Sequence, residues 1–244
     1  MKSLLIAILL LPLILNAQGI RPTFLGAAEQ QKAVVYTPTY VAQADYHNDG
    51  TTTNALVLNI TNSAQGFTVL AAMSRNSKPV TNVSDTLGST WTLSKALTNA
   101  SNRYLFVYYG TNLSAGSNLI TVKLSDVVTF VSARAYHFTG VQLGSPKDQE
   151  TSASGTGGAA PYTVVCGPIT PTSDGQLVFG SAMADAGGQE PDITGGWNQA
   201  ASPGVSYPEM HYKIQATAAA ITSYMTNDTS SDLYDSYVVS FKHQ

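Results

Sequence analysis

One short segment carries oxygen-bearing side chains at spacings suited to a cation. Residues 45–50 read DYHNDG, so Asp45, Asn48 and Asp49 precede a glycine that permits a sharp turn. Calcium prefers carboxylate and amide oxygens in such loops, although the glutamate that closes a typical calcium loop is absent here. The segment therefore predicts a structural calcium site or, as the simpler interpretation, an ordinary Asp/Asn-Gly turn. No other cofactor is expected.

A second group of candidate residues surrounds a glycine-rich loop. The loop reads TGGWNQAA, and it places Trp197 and Asn198 where a ring and an amide are suited to a sugar. Tyr207, Glu209 and His211 follow shortly after. Because glycans stack on exposed aromatic rings and hydrogen-bond to amide and carboxylate groups, we predict that these five residues bind the ligand.

The remaining acidic and nucleophilic residues do not form a recognisable catalytic arrangement. No G-x-S-x-G nucleophile elbow occurs, and the histidines lack the spacing of a zinc site. A glycosidase needs two carboxylates across a cleft, but the pairs Asp148/Glu150 and Glu190/Asp192 lie in loop-like sequence. Cys166 sits in the apolar run YTVVCGPI, where a free thiol behaves as a small buried hydrophobic group. We therefore predict that the protein is not an enzyme.

The elements that hold these residues are expected to be β-strands, because no window after the first seventeen residues has convincing helical periodicity. Short runs rich in Val, Thr, Tyr and Phe are separated by Gly, Asn, Asp, Ser and Pro clusters. The predicted strands are 33–41, 55–61, 67–73, 90–97, 103–109, 118–124, 129–138, 162–168, 176–183, 209–214, 218–225 and 234–242. About a dozen strands predict an all-β fold, a two-sheet antiparallel β-sandwich of jelly-roll type.

The strand predicted at 129–138 has an irregular alternation. In TFVSARAYHF, one face mixes aromatic with polar side chains, namely Phe130, Ser132, Arg134, Tyr136 and Phe138. A strand with one solvent-exposed face shows a cleaner alternation of apolar and polar residues. This strand is therefore predicted to lie between two covered faces or to line a groove.

The stretch VSDTLGSTWTLS predicts a turn that leads into a strand. Alternation places Trp91 and Leu93 on one face, so Trp91 is expected to anchor the core rather than to stack on a sugar. Asp85 is expected to accept hydrogen bonds from nearby backbone amides, and Gly88 to take a positive φ. We favour this interpretation over a cation site.

The N-terminus predicts export. MKSLLIAILLLPLILNAQG has a lysine, a short apolar run and Ala17 at a cleavage position, which is the pattern of a signal peptide over residues 1–17. Residues 18–32 then form a linker and residues 33–244 the sandwich domain, with no membrane insertion after cleavage. The run SPKDQETSASGTGGAAP, residues 145–161, has the composition of a flexible connector. It is either a long surface loop of one domain or a boundary between two.

Composition restricts the class of partner. The net charge is −3, only 11% of residues are charged, and the basic residues are scattered, which argues against nucleic-acid binding. The single cysteine excludes an intramolecular disulfide, so burial alone must stabilise the fold. This balance favours a secreted bacterial protein whose Thr-, Ser- and Asn-rich surface meets neutral partners such as glycans, or further copies of itself.

The order of several motifs resembles a module found in secreted bacterial cell-surface and adhesive proteins. The motifs are ITNSAQGFTVLAAM, VSDTLGSTWTL, RYLFVYYGTNLSAGSNLITVKLS, ARAYHFTGV and DGQLVFGSAM, and they span most of residues 55–244. The resemblance implies an immunoglobulin-like or jelly-roll sandwich and no catalytic residues. The chain departs from the module at Ser89, where asparagine is usual, at residues 137–139, where Tyr-Ser is usual, and at Gln176, where aspartate is usual.

Three functions follow from these observations. The leading hypothesis is a secreted, non-catalytic binding or adhesion module that recognises glycans or a cell-surface protein. The first alternative is a self-assembling structural protein of a surface or virion type. The second alternative is a polysaccharide-active hydrolase on the same scaffold.

Overall fold

Antiparallel strands account for nearly all regular structure in the protein. The computed structural model describes residues 36–185, 189–191, 194–199, 208–230 and 232–244, which belong to the compact unit Val35–Gln244. The strands are β1 (Thr39–Asn62), β2 (Gly66–Ser74), β3 (Val80–Asp85), β4 (Thr90–Thr98), β5 (Tyr104–Leu113), β6 (Gly116–Thr139), β7 (Lys147–Thr156), β8 (Tyr162–Ile169), β9 (Gln176–Ala184), β10 (Gln189–Pro191), β11 (Glu209–Gln215), β12 (Ile221–Asn227) and β13 (Leu233–Phe241). The predicted all-β antiparallel sandwich is confirmed.

Helical structure is minimal. One turn of 3-10 helix, Thr194–Gly196, is the helical element of the described ranges. Within those ranges, no helix is long and apolar enough to cross a membrane.

Two strands of 24 residues each, β1 and β6, organise the first sheet. They pair antiparallel from end to end, with register shifts near Tyr40 and between Asp49 and Ala55 that bend the ribbon. The edge of β6 that faces away from β1 pairs with β3 in the first half of the strand and with β2 in the second half. The order β1-β6-β2-β5-β4 completes this sheet. Because the strands continue through bulges, the predicted strands 118–124 and 129–138 are parts of one element.

The strands stack in layers around several cores. The second sheet has the order β11-β9-β13-β7, and the third the order β10-β12-β8. One large core joins the first and second sheets and includes Phe67, Tyr136, Phe179 and Tyr237. The second half of β1 pairs with the first half of β6, and this part of the ribbon folds back over the other face of the first sheet. The third sheet covers the other face of the second sheet. Two further layers thus extend the predicted two-sheet sandwich.

This layering explains the most apolar strands. GFTVLAAMS in β2 and QLVFGSAMA in β9 are buried at every position. A strand covered on both faces is expected to have a nearly continuous apolar sequence instead of alternation. These two strands are therefore the interior layers of the stack.

The prediction that residues 145–161 form a flexible connector is wrong. Most of that run is β7, which pairs with β13 over its length. Its small Ser, Ala and Gly side chains resemble a linker in composition, but the backbone hydrogen bonds of β13 determine its conformation. The run therefore forms the edge strand of the second sheet.

The turn before β4 has the predicted chemistry. Oδ1 of Asp85 accepts the backbone N–H groups of Leu87 and Ser89, each at 3.0 Å, and Gly88 has φ of +72°. Oδ2 of Asp85 accepts the indole N–H of Trp91 at 2.9 Å. Trp91 packs against a core cluster, as predicted, while remaining partly exposed. The aspartate thus fixes both the turn and the orientation of the indole ring.

Candidate functional site

A buried arginine joins carboxylates from two sheets. Arg134 on β6 has a side chain that is 5% exposed, and its Nη1 donates to Oε2 of Glu209 at 3.1 Å. Its Nε donates to Oδ1 of Asp45, which lies directly opposite it in the register of β1 and β6. Glu209 comes from β11, at the edge of the second sheet. The ion pairs therefore connect the edges of the first and second sheets.

Electrostatics keeps this arginine charged. Burial opposes the charge of Arg134, but the neighbouring carboxylates of Glu209 and Asp45 outweigh it and raise the pKa of the guanidinium. The amide of Gln199 also donates to Oε2 of Glu209 at 3.1 Å. Glu209 is almost fully buried, whereas the Asp45 side chain is 23% exposed. Asp45 is thus the most exposed member of this group.

Aromatic and polar side chains continue the same face of β1 and β6. His47 lies opposite Ser132 in the register, one pleat beyond the pair of Asp45 and Arg134. The ring of His47 meets the ring of Phe130 edge to face, with centroids 5.4 Å apart. We refer to Asp45, His47, Phe130, Ser132 and Arg134 as the β1 rim. Because β1 is the edge strand of the first sheet, Asp45 and His47 are exposed there, whereas Phe130, Ser132 and Arg134 are buried behind them.

Two of the three residues predicted to bind calcium have different hydrogen-bond partners in the structure. Asp45 belongs to the β1 rim, whereas the Asn48 side chain donates its amide N–H to the carbonyl of Thr51. The side chain of Asp49 lies outside the described part of the chain. Across the residues that the structure describes, no group of three or more His, Cys, Asp or Glu is arranged to hold a metal ion. The calcium site stays a prediction.

The prediction that Trp197 is an exposed ring on which a sugar stacks is wrong. Trp197 is 6% exposed and stacks on the imidazole of His211, with centroids 3.9 Å apart and planes inclined by 12°. The physical reason is a backbone bridge in which the N–H groups of Asn198 and Tyr212 each donate to the other's carbonyl, at 2.7 and 2.8 Å. This bridge lays the loop along β11 and directs the indole into the core beneath the third sheet.

The other predicted ligand-binding residues have different environments. His211 is fully buried, and its Nε2 lies 2.7 Å from the hydroxyl of Ser223. Asn198 is exposed, and Glu209 is held by Arg134. Tyr207 lies outside the described residues. The structure therefore brings Glu209 together with Asp45 through Arg134, whereas Trp197 stacks on His211.

Sequence reasoning missed Arg134, Gln199 and His47 as site residues. The signal for Arg134 was present, because TFVSARAYHF places arginine and serine on an otherwise aromatic strand face. Of the two predictions for this strand, the structure agrees with the one that places it between two covered faces, because residues 130–138 are all buried. No local signal marks Gln199, which reaches Glu209 only through the folding of its loop.

No protein-family model, curated protein or solved structure matches this chain. The function is therefore inferred from the geometry of the site.

Proposed function

We propose that the protein is a secreted, non-catalytic module that binds glycans through the β1 rim. The observation that carries this proposal is the open sheet edge on which the Asp45 carboxylate lies beside an exposed imidazole. Sugar hydroxyls donate to carboxylates, and sugar rings pack against planar side chains. His47 and Asp45 together offer both kinds of contact.

The rigidity of the β1 rim supports binding. Arg134 fixes Asp45 from one side and is itself fixed by Glu209, which Gln199 hydrogen-bonds in turn. A side chain that is already ordered loses little conformational entropy when a ligand arrives. The cluster is thus suited to present one carboxylate oxygen at a constant position.

The same ion pairs favour binding over hydrolysis. A glycosidase uses one carboxylic acid that holds a proton and one carboxylate that acts as base or nucleophile. Asp45 and Glu209 instead both form ion pairs with the guanidinium of Arg134, so one cation engages both carboxylates. We therefore assign these carboxylates to recognition.

Export is part of the proposal and rests on the N-terminal sequence. MKSLLIAILLLPLILNAQG has the features of a signal peptide, and the single cysteine is compatible with an oxidising compartment. A charge-poor sandwich that leaves a bacterial cell is well placed to meet surface polysaccharides. Edman sequencing of the secreted protein is expected to show an N-terminus that begins directly after Ala17.

A glycan array with the secreted protein tests the binding proposal. Wild type is expected to bind a defined set of glycans, and Asp45→Asn to weaken that binding about tenfold through the loss of a charge-assisted hydrogen bond. Asp126→Asn is the matched control, because Asp126 also forms an exposed ion pair, with Lys78 at 2.7 Å. Binding of no glycan by wild type would overturn the proposal. Equal loss in the two variants would move the site away from the β1 rim.

A second candidate function is self-assembly, and one observation favours it. Val165 on β8 and Tyr224 on β12 lie directly opposite each other on the outer face of the third sheet, and they are 42% and 40% exposed. Adjacent exposed apolar side chains on a flat sheet are suited to contact between copies. Light scattering is expected to show large particles for the wild type and smaller ones for Tyr224→Thr. The control Val57→Thr changes a similarly exposed position of β1 and is expected to leave the particle size unchanged.

A further inference from the structure

An arginine beside the β1 rim has no carboxylate partner among the described residues. The guanidinium of Arg75 lies 3.8 Å from the centroid of the Phe130 ring, and its Nε is buried without a hydrogen-bond acceptor. The other arginines of the described ranges, Arg103 and Arg134, form ion pairs with Asp185 and with Asp45 and Glu209. Arg75 is partly exposed, so its charge is available at the surface.

A second polar group at the same place also lacks a partner. Ser132 is 1% exposed, and its buried hydroxyl has no hydrogen-bond partner in the described part of the protein. Its position on β6 is two residues from Phe130 and opposite His47, so the three side chains share one face. Buried hydroxyl groups and N–H groups are normally satisfied, because each unsatisfied group costs about 1–3 kcal/mol. Unsatisfied donors of this kind mark a place for an acceptor.

Three donors therefore surround one aromatic ring. The guanidinium of Arg75 lies over the face of Phe130, the imidazole of His47 contacts the Phe130 ring in a T-shaped arrangement, and Ser132 lies two residues further along the same strand face. Planar guanidinium groups bind oxyanions through paired N–H donors. The carboxylate of Asp45, one pleat away, is already paired with Arg134 and does not supply the acceptor.

We propose that Arg75, Ser132 and His47 form an oxyanion subsite that selects acidic glycans, those with a carboxylate or sulfate group. The proposal rests on the glycan-binding function proposed above and specifies its substrate class. The oxyanion binds the guanidinium and accepts hydrogen bonds from the serine and histidine. The sugar ring then extends towards Asp45, whose carboxylate accepts hydrogen bonds from its hydroxyl groups.

Titration calorimetry with matched oligosaccharides tests this subsite. An oligogalacturonate and its methyl ester share one backbone and differ in the carboxylate charge, and a sulfated galactan oligosaccharide supplies the other oxyanion. Wild type is expected to bind at least one of the two acidic ligands about tenfold more tightly than the neutral ester. Which of the two prevails identifies the oxyanion. The preference is expected to persist at high salt, because a directional contact is screened less than a diffuse field.

Three variants distinguish a specific contact at Arg75 from a general attraction between the acidic ligand and positive charge on the protein. Arg75→Met keeps an apolar stem over Phe130 and removes the charge, so it is expected to abolish the preference for the acidic ligand. Arg75→Lys keeps the charge without the planar fork and is expected to retain part of it. Lys123→Met is the matched control, since it removes an exposed positive charge elsewhere on β6 and is expected to leave the preference unchanged. Thermal unfolding checks that each variant is folded.

The outcomes distinguish this inference from the proposed function. Equal affinity of wild type for the acidic ligands and the neutral ester overturns the oxyanion subsite and leaves glycan binding in place. An unchanged preference in Arg75→Met also overturns it. If wild type binds none of these ligands and none on the glycan array, both proposals fail.

Discussion

Acid is expected to destabilise the protein through one buried histidine, His137. Its Nε2 accepts the backbone N–H of Ser63 at 2.9 Å, so the proton of the neutral ring is on Nδ1, which lies 2.9 Å from the hydroxyl of Thr68. Protonation of Nε2 would place two donors face to face inside the fold. Burial lowers the pKa of His137 from 6.5 to about 4. The folded state therefore binds this proton more weakly than the unfolded state does.

The direction and size of the effect follow from proton linkage. The contribution of the neutral ring to stability is fully present above the unfolded pKa of 6.5 and is lost as pH falls from there towards about 4. At about 1.4 kcal/mol for each pKa unit, the loss amounts to about 3 kcal/mol. Below about pH 4 the loss stops increasing, because the histidine is then protonated in both states.

Urea unfolding of wild type and His137→Gln measures this loss. Carboxylates also titrate in acid, so the informative quantity is the difference in unfolding free energy between the two proteins. That difference is expected to decrease by about 3 kcal/mol between about pH 7 and about pH 4. His47→Gln, which removes an exposed imidazole, is the comparison variant. A constant difference, or an NMR titration of the His137 ring near 6.5, would contradict a lowered pKa of this histidine in the folded state.

Three further predictions concern stability and are measured by urea unfolding. Glu209→Gln leaves the charge of the buried Arg134 guanidinium partly unpaired and is expected to lower the free energy of unfolding by about 3–5 kcal/mol. Asp45→Asn, at the more exposed side of the same guanidinium, is expected to cost less, and equal costs would contradict this prediction. Asp85→Ala removes three hydrogen bonds and is expected to cost about 2 kcal/mol; a neutral effect would contradict the turn assignment. Gly180→Ala is expected to prevent folding, because its Cβ would lie 2.4 Å from Nε2 of the stacked histidine, whereas Gly158→Ala has open space and is the control.

The pH dependence of Asp85 has the opposite sign to that of a buried neutral carboxyl. Burial raises its pKa, but the hydrogen bonds from the Ser89 backbone and the Trp91 indole help to outweigh burial, and the pKa lies below the usual value of 3.8. Its stabilising contribution is therefore present above that value and is lost as pH falls through the lower folded pKa. The cost of Asp85→Ala should accordingly be smaller in strong acid than at neutral pH.

Local patterns were sufficient for much of the fold. The turn at Asp85 and Gly88 depends on atoms a few residues apart, and its hydrogen bonds and positive φ agree with the prediction. The apolar runs of β2 and β9 were identified as strands for the same reason. In contrast, the sequence of β7 predicts a connector, because its small side chains carry little strand propensity and its pairing partner β13 is far along the chain.

The candidate site was less accessible to sequence reasoning. Glu209 and Asp45 were identified as polar residues of interest, but each was assigned to a different kind of site. Trp197 was expected at the surface because glycine-rich loops usually lie there. The exposure of a side chain depends on which layer lies above it, and the strand bridge at Asn198 turns this ring inward. Nothing within the loop itself encodes that bridge.

The all-β class, the position of most strands and the chemistry of the Asp85 turn can be predicted locally, because alternation and turn geometry arise from neighbouring residues. The stacking of the strands in more than two layers and the pairing of Arg134 with Asp45 and Glu209 are visible only in the folded chain. Those features depend on pairing between distant segments. The free energy of that pairing comes from burial across whole sheets, and no local stretch of sequence contains it.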